Sequence, residues 1–200
     1  MNIIPKTRLE SFSDGVIAII ITIMVLEIKV PPGGDIEALR PLVPVFLSYL
    51  LSFVYIGIFW INHHHLLHAA KQINGKIMWT NLALLFWLSL VPFSTNWLGE
   101  NHGSAWPTAV YGFILLMAGF AYLMLQTFIV QIQGKASPLA KALGHDWKGK
   151  ISMASYASAI ALAFINQWIS DALFIMVALM WFIPDSRLEK AVHGNQRDTE

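Results

Sequence analysis

Arg8, Glu10, Ser11, Ser13 and Asp14 gather a guanidinium, two carboxylates and two hydroxyls in the run RLESFSD, which continues without a break into the apolar stretch GVIAIIITIMVL at 15–26. Charges are expensive beside hydrocarbon and need partners there. Only Thr22 is polar in the stretch behind them. The layout suits a helix that lines a narrow apolar pore and is pinned at its end by a polar network. A second group with chemical potential is the run Asn62-His63-His64-His65, with His68 one turn further on. His64 and His68 stand at i, i+4, a spacing compatible with a metal ion. A zinc hydrolase of the His-Glu-x-x-His kind would also need a carboxylate base. No Asp or Glu lies in this window and the chain has no cysteine. Polar residues at a membrane interface and a structural pairing role both remain open for the cluster. No catalytic metal, no cofactor and no enzymatic activity are expected.

These groups must be positioned by membrane helices. The 200 residues are 56% hydrophobic and 12% charged, where soluble domains carry about a quarter charged residues. Mean hydropathy is +0.57. A net charge of +1 gives no field that would draw nucleic acid. No cleavable leader is expected, because Pro5, Arg8, Glu10 and Asp14 interrupt any early apolar run. Charged residues are absent from 15–26, 41–70, 77–99, 101–134, 151–170 and 172–184. A spanning helix takes roughly 20 apolar residues. The pattern predicts an all-α membrane protein with a single domain over 1–200. Its six spans fall near 11–30, 43–68, 77–98, 106–132, 150–168 and 170–185, with a polar tail at 186–200. Pro31-Pro32-Gly33-Gly34 ends the first helix. Pro41 and Pro44 open the second, Pro107 the fourth, and Pro92 predicts a kink in the third, with Ser89 and Ser94 available to the freed carbonyls. Gln167-Trp168-Ile169-Ser170-Asp171 reads as the turn between the last two spans.

Basic residues set the orientation. With six spans, eleven of the thirteen Lys and Arg residues fall on one side, and only Lys29 and Arg40 on the other. Both termini are therefore expected in the cytoplasm of a cell whose inner (plasma) membrane holds the chain. Most tryptophans sit near predicted interfaces as anchors, whereas Trp87 and Trp60 lie deeper and read as packing residues. No span carries repeated arginines, so no voltage sensor is expected.

Ile19, Thr22, Ile23 and Leu26 share one helix face at i, i+3, i+4 and i+7. Six helices leave no wide internal channel, so a conducting form requires subunits around an axis. In such an assembly this face would stack rings of branched side chains, a constriction that gates by dewetting, with Thr22 adding a ring of hydroxyls. The same stripe also suits a buried or lipid-facing helix, because isoleucine surrounds it on every side.

The residues Arg8-x-x-x-Phe12-Ser13-Asp14 resemble the signature of the potassium channels named after the endosomal and lysosomal transmembrane protein 175, and GVIAIIITIMVLEIKVP resembles their bacterial members. Trp60-Ile61-Asn62-His63-His64 and Ser89-Leu90-Val91-Pro92-Phe93-Ser94-Thr95 support the resemblance, which covers most of 8–100. It implies a homotetramer in the lipid bilayer, permeable to monovalent cations and to K+ in particular. Its narrowest ring would be Ile19, with Ile23 and Leu26 as further layers and Thr22 as the polar pore-lining residue. It also implies a structural network of Arg8, Phe12, Ser13, Asp14 and His63, in which Asp14 would hold the Arg8 guanidinium. No Thr-Val-Gly-Tyr-Gly filter is present, so a carbonyl cage is not expected. The alternative class is a secondary cation or proton-coupled transporter. The charge-free windows of the second to sixth spans argue against it.

Overall fold

The structure is a computed structural model and describes residues 5–134, 137, 139–140 and 146–182. Among them it contains helices and no strand. Helix α1 is Lys6–Leu26, followed by a short 3-10 helix, Ile36–Leu42. Then come α2 (Val43–Ala69), α3 (Gly75–Ser89), α4 (Val91–Glu100), α5 (Ala105–Gln133), α6 (Trp147–Leu162) and α7 (Gln167–Phe182). Four stretches are long and apolar enough to cross a membrane: Lys6–Leu26, Ile36–Ala69, Gly75–Glu100 and Ala105–Gln133. α6 and α7 have 16 residues each, about 24 Å of helix against a hydrocarbon core of about 30 Å.

Local chemistry explains the boundaries. Pro44 lies in the first turn of α2, where its missing N–H has no cost. The side chains of Asn74 and Asp146 accept from the backbone N–H groups of Ile77 (3.0 Å) and Gly149 (2.9 Å), capping α3 and α6. Gly134 ends α5 at φ 87°, in the region that favours glycine.

Several expected boundaries are corrected. The first span begins earlier and ends sooner than 11–30: the helix takes in Lys6 to Glu10 and stops at Leu26, so Glu27 and Lys29 lie beyond it. The charged lead is thus the helix's own first turns, held by the Lys6–Glu10 ion pair at 3.7 Å and by Lys6 Nζ donating to the His68 carbonyl at 2.7 Å. The third span, by contrast, is interrupted where expected: helix breaks between α3 and α4 at Leu90, beside Pro92, which has no N–H to give, and Ser89 Oγ donates to Phe86 O and Ser94 Oγ to Val91 O. The last connection is Ala163–Asn166, not 167–171. Asn166 Oδ1 accepts from the Trp168 N–H at 3.0 Å, and helix resumes at Gln167. Parts of the expected loop at 133–149, the end of the sixth span and the tail at 186–200 lie outside the described residues.

The core is threaded by α5, whose buried side chains meet α3 on one side and α6 on the other, while α2 pairs with α4. Tyr55, Ile56, Leu66, Leu84, Leu115, Leu125 and Phe174 fill the interior. Buried hydroxyls find one another: Thr95 Oγ1 lies 2.7 Å from Ser52 Oγ, which lies 3.0 Å from Tyr111 Oη. α4 and α2 approach so closely that a Cβ on Gly99 would stand 2.7 Å from Val45 Cα. α1 packs on α2, α3 and α4, at one side of the bundle.

Candidate functional site

α1 has two unlike faces. Leu9, Ser13, Ile17, Ile20 and Met24, spaced by three or four residues, are buried against the bundle. Phe12, Ile19, Ile23 and Leu26 are exposed, Ile19 at 58% and Leu26 at 80%. Thr22 is exposed too, and its hydroxyl donates to its own helix at Ile19 O, 2.9 Å, so the oxygen can still accept. The four residues expected to line a pore therefore share an uncovered face, and Ile20, one position on from Ile19, is 4% exposed. Beside this face runs an open cleft between α1 and the α3–α4 junction, bordered by Ile19, Ile20, Ile23, Ser89, Pro92 and Asn96. At the Leu26 end of α1 Asn96 Nδ2 donates to Glu27 Oε2 at 3.5 Å, and Lys29 pairs with Glu100, tying the chain after α1 to the end of α4.

The other end of α1 is held by a buried ladder of polar groups. Asn81 Oδ1 can only accept, so His63 Nε2 donates to it, at 2.6 Å. Asn81 Nδ2 donates to Ser13 Oγ at 2.9 Å, and Ser13 Oγ donates to Leu9 O at 2.8 Å. His63, Asn81 and Ser13 are 1%, 0% and 0% exposed. The ladder joins α2, α3 and α1 through buried polar side chains that bond one another, as polar groups away from water must. Next to it, Trp60 Nε1 donates to Asp14 Oδ1 at 3.0 Å.

The expected network is thus partly rearranged. Ser13 and His63 meet, but through Asn81. Asp14 is held by Trp60, which is 42% exposed and not a deep packing residue. Arg8 makes no ion pair with a described residue and is exposed. Six residues along a helix is about 600°, so Arg8 and Asp14 point about 120° apart and cannot meet within α1. Phe12 is 53% exposed and stands outside the hydrogen-bonded set. Asn81 was the residue missed. Its signal was available, since Asn81 and Asn96 are the two amides in the charge-free stretch 77–99 and Asn81 lies well inside it. Among the described residues no three His, Cys, Asp or Glu side chains gather as a metal site.

The chain matches the family model described as endosomal/lysosomal potassium channel TMEM175 over residues 8–92. A Chryseobacterium protein named as a potassium channel is 48% identical over 190 residues, spanning 95% of this chain and 99% of that one. The human protein named endosomal/lysosomal proton channel TMEM175 is 37% identical over 94 residues, which is 40% of this chain and 19% of the human one. The crystal structure of a lysosomal potassium-selective channel TMEM175 homologue from Chamaesiphon minutus superposes with a TM-score of 0.78 at 30% identity, covering 90% of this chain and 97% of that one. The motif at the head of α1, the fold and a relative matched along almost its whole length agree: this chain is a multi-pass membrane protein of the TMEM175 family.

Proposed function

We propose that this chain is the subunit of a potassium-permeable cation channel, a homotetramer that conducts passively through a hydrophobic constriction made by α1. Each subunit would contribute six spans, with α6 and α7 as the last two. Both termini would face the cytoplasm of a bacterial cell whose inner membrane holds the assembly. Ile19, Ile23 and Leu26 would form the stacked rings and Thr22 a ring of oxygen acceptors, with no cofactor and no reaction catalysed. The names of the relatives support potassium as the permeant ion. Ser13, Asp14 and His63 would fix the angle of α1, while Arg8 and Phe12 would act toward a neighbouring subunit.

The observation that carries this reading is the division of α1 into a packed face and an apolar face that its own subunit leaves uncovered. The test is potassium flux into liposomes. Ile19→Asn turns an apolar ring into groups that can hydrate an ion, so flux should rise and the preference for potassium over sodium should fall. Ile20→Asn should cost stability, because Ile20 packs inward. Equal effects at the two positions, or unchanged flux from a folded Ile19→Asn tetramer, would remove α1 from the pore. Uptake against a gradient driven by a second ion would favour a transporter.

A further inference from the structure

The cytoplasmic end proposed for α2 carries a ridge the permeation reading leaves unused. Trp60, His64 and His68 follow at i, i+4 and i+8. The His64 and His68 rings face each other with centroids 6.2 Å apart and planes 15° from parallel. Both side chains are exposed, whereas the buried ladder uses His63, about 100° round the helix from His64. We propose that His64 and His68 form a two-imidazole clamp for a divalent transition-metal ion of the nickel–copper–zinc group, with water completing its coordination.

The chemistry is that of the ligands. Imidazole nitrogen suits these ions, and residues at i, i+4 project from the same helix face. The helix turn that carries the clamp is fixed, because Lys6 Nζ donates to the His68 carbonyl and holds the end of α2 against α1. A fixed backbone lets two ligands act together with little ordering cost. Structural zinc sites take four protein ligands and catalytic ones three. Here no third His, Cys, Asp or Glu joins the pair among the described residues. The clamp is therefore open and exchangeable, fit for reversible binding and not for hydrolysis. It is also placed to be sensed: the His64 ring lies 6.1 Å from that of Trp60, whose indole N–H holds Asp14.

The test is isothermal titration of NiCl2 into the full chain, prepared in detergent without a polyhistidine tag. Each variant is first shown by gel filtration to elute as the parent does. Loss of outer-shell partners alone weakens metal sites about 10–100-fold, so loss of a ligand in His64→Ala or His68→Ala should weaken the strongest site by about tenfold or more. His65→Ala and His102→Ala should bind as the parent does. Bound Ni2+ should quench part of the tryptophan emission, and Trp60→Phe should remove part of that quenching while the affinity stays unchanged. Parent-like binding by His64→Ala or His68→Ala, an equal loss in His65→Ala, or quenching indifferent to Trp60 would each overturn the assignment.

Discussion

Replacing Asn81 tests whether the buried ladder, and not the charged motif beside it, holds α1 in place. Asn81 is fully buried and makes two hydrogen bonds, 2.6 Å to His63 and 2.9 Å to Ser13. In Asn81→Ala the His63 Nε2–H loses its acceptor and Ser13 Oγ loses its donor, at a depth where water cannot replace them. A stranded buried polar group costs about 1–3 kcal/mol. Interhelical hydrogen bonds in membranes average about 0.6 kcal/mol and reach about 1.7. Two bonds with one strongly stranded donor give about 2–4 kcal/mol. At about 2–4 °C per kcal/mol for a chain of this size, the midpoint of thermal unfolding should fall by roughly 4–16 °C. The assay is fluorescence-detected gel filtration of heated, detergent-solubilised protein. Two comparisons isolate the cause. Thr80→Ala removes a hydroxyl that bonds only to its own helix, at Lys76 O and Ile77 O, and should shift the midpoint far less. His63→Phe combined with Asn81→Leu replaces both partners by apolar groups and should recover part of the loss, because nothing remains stranded but the Ser13 hydroxyl, which keeps Leu9 O. A midpoint for Asn81→Ala equal to that of Thr80→Ala would refute the ladder as the element that fixes α1.

Three further outcomes follow from the packing and topology. Gly99→Ala places a Cβ 2.7 Å from the Val45 backbone and should destabilise by about 1–3 kcal/mol, whereas Gly57→Ala, with nothing within 4 Å, should be neutral or gain about 1 kcal/mol from helix propensity; the two midpoints measured side by side check this. Reporter tags fused at Met1 and at Glu200 should both read as cytoplasmic, and an external signal from either would break the even-span topology. Arg8→Gln should leave the unfolding midpoint of the dissociated subunit unchanged, because Arg8 makes no ion pair among the described residues, but should lower the fraction of the proposed tetramer in cross-linking; a lowered midpoint with normal assembly would place its role inside the subunit.

The sequence alone was enough for the class of protein and for the positions of most helices. Charge-free windows separated by basic islands have one physical solution, helices that satisfy their own backbone within lipid. α2 and α5 accordingly fall within a residue or so of the expected 43–68 and 106–132. The Pro92 break was legible because a missing N–H is a local property, and the family motif was legible because it is contiguous. Side-chain pairing was not, because it depends on which helix lies beside which and at what rotation. Spacing alone already argued against Arg8 meeting Asp14 on one helix, but only the packing of α2 on α1 gave Asp14 to Trp60, and only the packing of α3 beside both placed Asn81 between His63 and Ser13. The same holds for the apolar face of α1. Isoleucine on every side hides the difference between Ile19 and Ile20 from any periodicity. That difference appears only when α2, α3 and α4 cover one face and leave the other open. Hydrophobic burial is non-directional, so composition sends a helix into the membrane, while its neighbours decide which way each side chain looks.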